Sequence, residues 1–471
     1  MKKIAKFLIV LGMMGQLSSC DYLDIVPDER AQESDTWKTE GAVRGYLYSC
    51  YGYLPANRTF GNSYWLAEEL TAVTKELFTT FKYGYYSPVS LGFTSNTWST
   101  IWNGIHQCYM FQESLKQVSN EYVTDEMKKQ YLAESNFLIA YYHFLSMRSY
   151  GPTMIIRSVI DLETPISGFP ERSSIDEVVA FINEKLDEAM SEGGLPTTWS
   201  GKDYGRATRL AALALKSRVY LYAASPLYNG NTEMYADFRS PLDGRQLIAQ
   251  EKSQAKWEIS ATQTKYAIDE VEKAKFHLYH DADAGEPSDA KPGLPNKAQR
   301  RLRYTNIDNQ TGNNPEIIWA DTRNDDYYGI QRRCPPRQTL GGKFAGISMT
   351  NCPTLQTIEA FYTKNGLPIN KDKTFDYDER YEYISAPENC DGNNYEDLVK
   401  YANFTPSSDK VMRLCTDREP RFYAWTTYHN GYFEFGKYNN EEISADPAKR
   451  AIRIHLLRDD PHGRGNRPDH E

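Results

Sequence analysis

Val43, Tyr46, Leu47 and Cys50 recur at the i, i+3, i+4, i+7 spacing that gathers side chains onto one face of a helix, which predicts a first amphipathic helix. The period returns at Trp98, Ile101, Trp102 and Ile105. It returns again at Phe137, Leu138, Tyr141, Phe144 and Leu145, ahead of a Gly151-Pro152 stop, so these two segments read as a helical hairpin. A second hairpin opens at Ser174-Ile175-Asp176-Glu177. There the serine can cap the Glu177 amide while the glutamate reaches back, with Ile175, Val178, Ile182 and Leu186 inward and Gly193-Gly194 as the stop. Its partner carries Leu210, Leu213, Ala214, Tyr220, Leu221 and Ala224 on its apolar side, and the alanines at 211, 212 and 214 permit close helix approach. One more helix is expected with Trp257, Ala261, Ile268 and Val271 on its apolar face.

Two hairpins in succession, each near the roughly 34 residues of a tetratricopeptide unit, predict stacked helix pairs sharing one core, although the consensus signature of that repeat is missing. Glu316-Ile317-Ile318-Trp319-Ala320 follows Asn-Asn-Pro and reads as a short strand. From about Asp281 to Ser348 the chain is dense in Gly, Pro, Asn, Asp and Arg, the composition of long loops. The fold class is therefore mainly α: tetratricopeptide-like stacked helical hairpins with long loops and a few short strands.

At 471 residues the chain exceeds the size at which single cores stop growing, about 250 to 300 residues, in line with two lobes or a solenoid-like array. A chain 40% hydrophobic and 25% charged is neither collagen-like nor low-complexity. Its net charge of −9 argues against a nucleic-acid partner. Aromatics make up 13% of residues, with 35 Tyr. Against a mean hydropathy of −0.65, many of those rings must lie at or near the surface.

Lys2, Lys3 and Lys6 precede an apolar run from Phe7 to Met14 and then Leu17-Ser18-Ser19-Cys20, so residues 1–19 read as a signal peptide. The run is shorter than the ~20 residues that span a bilayer. Small residues before Cys20 resemble a bacterial lipobox, whose cysteine is lipidated on sulfur and becomes the new first residue. Residues 20–35 then form a tether, and acyl chains on Cys20 would hold a water-soluble body to the membrane. The other six cysteines include no CxxC pair, which argues against a cysteine zinc site. Cys50 and Cys108 fall at apolar helix positions and read as core thiols. Cys334, Cys352, Cys390 and Cys415 could pair in ways spacing does not specify.

Several further motifs occur in one order along the chain. They are Cys20-Asp-Tyr-Leu-Asp; Phe137-Leu138-Ile139-Ala140-Tyr141-Tyr142-His143-Phe144 running to Tyr150-Gly151-Pro152; and Gly205-Arg206-Ala207 leading to Ala214-Leu215-Lys216-Ser217-Arg218. Then come Asn314-Pro315-Glu316-Ile317-Ile318; Pro353-Thr354-Leu355-Gln356 with Phe361-Tyr362 and Asn365-Gly366; and Asp417-Arg418-Glu419-Pro420-Arg421-Phe422. In content and order they resemble the SusD/RagB family of outer-membrane lipoproteins. The resemblance implies a tetratricopeptide-like scaffold (36–280), a loop-rich region with short strands (281–440), and no catalysis or cofactor. It also implies a surface-exposed, lipid-anchored place at the outer membrane, capping a SusC-like TonB-dependent transporter and capturing an oligosaccharide or peptide ligand. Residues 441–471 depart from the family pattern, which continues into a further helical segment, and read as an atypical, truncated tail.

Enzyme motifs such as GxSxG, HExxH and the P-loop are missing from the sequence. His277 and His280 lack a companion ligand pair, and Asp281-x-Asp283-x-Gly285 has Glu286 and Pro292 where a calcium loop needs Gly and Glu, so both read as surface features. Asp417-Arg418-Glu419-Pro420-Arg421 reads as a structural salt-bridge turn. The carboxylates, Asp376, Asp378 and Glu379 among them, leave a surface hydrolase open as an alternative, because sequence places no two of them across a glycosidic bond. The stronger lead is rings beside polar groups in loops, since sugars stack C–H patches on ring faces while their hydroxyls take hydrogen bonds. Tyr83, Tyr85 and Tyr86 form one such cluster, and Arg323, Asp325, Tyr327 and Tyr328 a second. Together they are the expected ligand surface. Trp98, Trp102, Trp257 and Trp425 follow helical or strand periods and are expected in the core.

Overall fold

The computed structural model describes residues 37–55, 69–72, 93–161, 163–280, 301–302, 305, 314–323, 351–385, 410–429, 432–434 and 451–453. Helix α1 (Glu40–Tyr51) starts where the Thr39 hydroxyl accepts the Ala42 amide, and buries Val43, Leu47 and Cys50 as their spacing predicts. Helix α2 (Phe93–Leu115) buries Ile101, Ile105, Cys108 and Phe111. Helix α3 (Asp125–Tyr150) opens on a Thr124 cap with Asp125 and Glu126 in its first turn, where carboxylates oppose the helix dipole. It stops at Gly151, whose φ of 71° suits a residue without Cβ.

Nearly every residue of α3 from Tyr131 to Met147 is buried, so this helix is enclosed on all sides and forms the axis of the body. Each Leu or Phe buried there contributes roughly 1.5–3 kcal/mol of transfer free energy. Helix α4 (Ile175–Ala189) begins with the predicted reciprocal cap: Glu177 N–H donates to Ser174 Oγ at 3.3 Å and Ser174 N–H to Glu177 Oε2 at 2.7 Å. Helix α5 (Arg209–Ala224), the single-turn α6 (Thr232–Tyr235) and α7 (Gln254–Lys273) complete the helical region. Contacts run α1 to α2, α2 to α3, α3 to α4, α4 to α5 and α5 to α7, so the long helices stack in chain order around a continuous core. The body is mainly α.

Four antiparallel ribbons occur among the described residues. β1 (Leu70–Ala72) pairs with β4 (Asn351–Pro353), β2 (Thr153–Met154) with β3 (Arg172–Ser173), β5 (Tyr383–Ser385) with β6 (Lys410–Met412), and β7 (Tyr432–Glu434) with β8 (Ala451–Arg453). The region around β4 to β6, with short helices α8 (Leu355–Ala360) and α9 (Pro420–Trp425), has a small core of Ile369, Phe375 and Leu414. Arg418 is buried beside it. Its guanidinium donates to the carbonyls of Leu414 (2.6 Å), Ile358 (2.6 Å) and Phe361 (2.7 Å), while Lys364–Asp417 and Arg421–Glu419 pair at 2.7 Å each. The turn is structural, as expected, but its central arginine is satisfied by backbone and not by a carboxylate.

Four expectations are corrected. Residues 316–320 form turns and bends, not a strand: the His277 amide donates to the Pro315 carbonyl and the Tyr279 amide to the Glu316 carboxylate, so irregular chain takes these groups. On α7 the inward face holds Ser260, Thr264, Ala267 and Val271. Ser217 bonds Thr264 at 2.7 Å, and Ala267 packs with Leu210 and Leu213, while Ala261 and Ile268 face out. Small residues at the α5–α7 contact, not the larger apolar ones, let the helices approach. Leu221 of α5 is half exposed. Trp425, at the end of α9, is also half exposed, whereas Trp98, Trp102 and Trp257 are partly buried.

Candidate ligand-binding cleft

The last turn of α1, the loop 201–206 and the segment 319–323 enclose a cleft of about 480 Å³. Beneath it lies a buried polar cluster. Tyr51 Oη donates to Glu134 Oε2 at 2.6 Å and accepts the Ala207 amide at 2.9 Å. Arg206 donates Nε to Glu134 Oε2 at 3.2 Å, a second nitrogen to Oε1, and Nη1 to Asp203 at 2.8 Å, and its guanidinium lies 4.0 Å from the Trp199 ring centroid. Burial raises the Glu134 pKa, with Arg206 and Tyr51 opposing. Burial, with Glu134 adding to it, pushes the Tyr51 phenol well above its ordinary range, so Tyr51 stays a donor. The carboxylate is fully buried and both its oxygens are taken.

The opposite wall is set by Trp319. Its indole Nε1 donates to the Gly205 carbonyl at 2.8 Å, and its ring stands edge-on to Phe137 and Tyr141 at 5.1 and 5.5 Å. Gly205 adopts φ +98°, and a Cβ there would lie 2.8 Å from Thr322 Oγ1, so only glycine fits both backbone and contact. Arg323 clamps this wall to α1 by donating to the carbonyls of Leu54 (2.7 Å) and Pro55 (3.0 Å) while pairing with Asp321 at 2.8 Å.

Tyr48, 41% exposed, and Tyr204 offer rings to the cleft beside the exposed Lys202. Of the expected ligand residues, Arg323 lines the cleft. Tyr83, Tyr85, Tyr86, Asp325, Tyr327 and Tyr328 lie outside the described residues, as does Cys20. Sequence reasoning passed over Tyr48, Tyr204 and Lys202. A signal was present in Tyr48, an aromatic on the polar side of an otherwise regular amphipathic helix. His277 and His280 meet edge to face at 5.4 Å, and among the described residues no cluster of three or more His, Cys, Asp or Glu could hold a metal. No helix of the described residues is long and apolar enough to cross a membrane.

Residues 21–221 match a SusD-like family model described as "Starch-binding associating with outer membrane", and residues 315–453 match the SusD family model itself. The chain belongs to the SusD/RagB family. A solved structure, BT4246, shares 29% identity at a TM-score of 0.65, covering 84% of this chain. The chain spans 66% of the length of BT4246. A SusD-like protein, BF3747 from Bacteroides fragilis NCTC 9343, shares the fold at 20% identity and a TM-score of 0.59, covering 93% of this chain and 68% of its own. No curated protein matches the chain.

Proposed function

We propose that the chain is an outer-membrane, surface-exposed lipoprotein that binds nutrient oligomers, chiefly glycans, and passes them to a SusC-like TonB-dependent transporter. The observation that carries the binding role is the cleft: accessible tyrosine rings held on a rigid, hydrogen-bonded base. A pyranose presents C–H faces to Tyr48 and Tyr204 and hydroxyls to Lys202 and the phenols. We extend the site along the chain from Arg323 to Asp325, Tyr327 and Tyr328, and to Tyr83, Tyr85 and Tyr86, on the ring-plus-polar pattern of those segments.

Binding without catalysis is supported by the state of the cleft's carboxylates. Glu134 is covered by Tyr51 and Arg206, Asp203 is paired with Arg206, and Asp321 with Arg323, so none of the three is poised as a general acid or nucleophile. The description "Starch-binding" of the matched family model puts maltooligosaccharides first in a test panel that also holds other neutral glycans and peptides. Calorimetric titration should give saturable binding to one class, with no release of reducing ends. Tyr48→Ala/Tyr204→Ala should weaken it by roughly 1–3 kcal/mol, about five- to 150-fold, since recognition concentrates in a few rings. The melting temperature should barely change. Unchanged affinity in that variant alongside a loss in Tyr85→Ala/Tyr327→Ala would move the site to the outer loops. Binding of peptides alone would favour peptide capture, and reducing ends released by the purified chain would favour a hydrolase.

A further inference from the structure

The first two helices bring two thiols together in the core. Cys50 lies on the last turn of α1 and Cys108 near the middle of α2; both are fully buried, and neither is bonded to another cysteine. The register between the helices is fixed one residue earlier on each, where Gln107 Nε2 donates to Ser49 Oγ at 3.1 Å. That contact joins the residues one position before each cysteine, and both cysteines fall in the same buried core cluster. The Cys50 thiol donates to the Tyr46 carbonyl at 3.7 Å, and the Cys108 thiol has the Cys50 side chain as a close neighbour. Both backbones are pinned to α3 at these positions. Tyr142 Oη donates to the Cys50 carbonyl at 2.6 Å, and Ser135 Oγ to the Cys108 carbonyl at 3.2 Å. Among the described residues no metal cluster claims either thiol.

We propose that Cys50 and Cys108 are joined as a disulfide in the exported protein, stapling α1 to α2. An export route places the folding chain in an oxidising compartment, where such bonds form and persist. The reaction is thiol–disulfide exchange with the disulfide of an exported dithiol oxidase. A thiolate of one cysteine attacks the oxidant's S–S bond to give a mixed disulfide, and the second cysteine displaces the oxidant. One S–S bond forms here, one breaks in the oxidant, and the two protons and two electrons end on the oxidant's two thiols. Because the core is closed to solvent, the exchange precedes completion of packing. The staple would fix the helix that carries Tyr48 and Tyr51, and with it one wall of the cleft.

The full chain, recovered from the membranes of expressing cells, is denatured, alkylated without reductant and digested with trypsin. Cleavage after Arg44, Arg58, Lys82 and Lys116 isolates Cys50 in the peptide 45–58 and Cys108 in the peptide 83–116, each with no other cysteine. The expected result is a cross-linked pair of these two peptides that separates on reduction. Recovery of both as alkylated thiols overturns the proposal. A second measurement compares melting with and without dithiothreitol. Wild type should lose several degrees on reduction and Cys50→Ala/Cys108→Ala none, whereas an equal drop in both would assign the effect to other cysteines and overturn it.

Discussion

His143 has its whole ring inside the core, where the Nδ1–H donates to the Ile139 carbonyl at 2.8 Å and Nε2 accepts the Ile156 amide at 3.3 Å. A proton on Nε2 would face an N–H with no acceptor. Burial, reinforced by the nearby charges of Lys185 and Arg157, holds its pKa down at about 4 against an ordinary 6.5. The native state thus stays unprotonated where the unfolded chain takes up a proton. Stability is fully present above about pH 6.5, is lost as pH falls toward 4, and levels off below, for a total of about 3 kcal/mol from this one group. Urea unfolding at pH 7.5 and at pH 5 should therefore differ more for wild type than for His143→Gln. Equal pH dependence in the two proteins would mean that the ring is protonated in the fold.

Helix starts behave as local chemistry demands. Thr39, Thr124, Ser174 and Thr208 each accept an amide of their own first turn, and Ser174 adds the reciprocal Glu177 contact. Ser174→Ala removes one half of that exchange and should cost about 1 kcal/mol, read as a lower denaturant midpoint with unchanged slope. The α4 side chains pack on both α3 and α5, so the loss should appear in global unfolding and not as fraying of one helix. Helix faces are less local. The period of α1 matches its buried face because one side meets α2 and α3 and the other meets solvent. The face of α7 is chosen by α5, whose Leu210, Leu213 and Ser217 accept only small partners.

For the whole molecule, the anchoring prediction rests on Leu17-Ser18-Ser19-Cys20 after a short apolar run. Cys20→Ala should leave the outer-membrane fraction in a strain lacking the partner transporter, tracked by immunoblot of separated membranes. Continued membrane association there would remove the lipidation reading. Since one acyl chain gives only marginal, reversible attachment, several chains on the same terminal cysteine are expected in the lipopeptide mass.

The chain's own pattern was enough for the long helices, the reciprocal Ser174–Glu177 cap, the buried positions of Cys50 and Cys108, and the family, because each of these depends on residues within a few turns or on short motifs in order. The cleft base was beyond its reach. Glu134 and Arg206 are 72 residues apart, and Trp319 meets Gly205 across 114, so nothing local announces either contact. Residues 316–320 look like a strand in isolation. With the Pro315 carbonyl and the Glu316 carboxylate held by the amides of His277 and Tyr279 and the Trp319 ring docked on α3, folding instead uses them as a wall. Tyr48 is accessible for the same kind of reason. A helix has one apolar stripe, and only the placement of the 201–206 loop and the 319–323 segment over its other side turns an off-stripe tyrosine into part of a cleft.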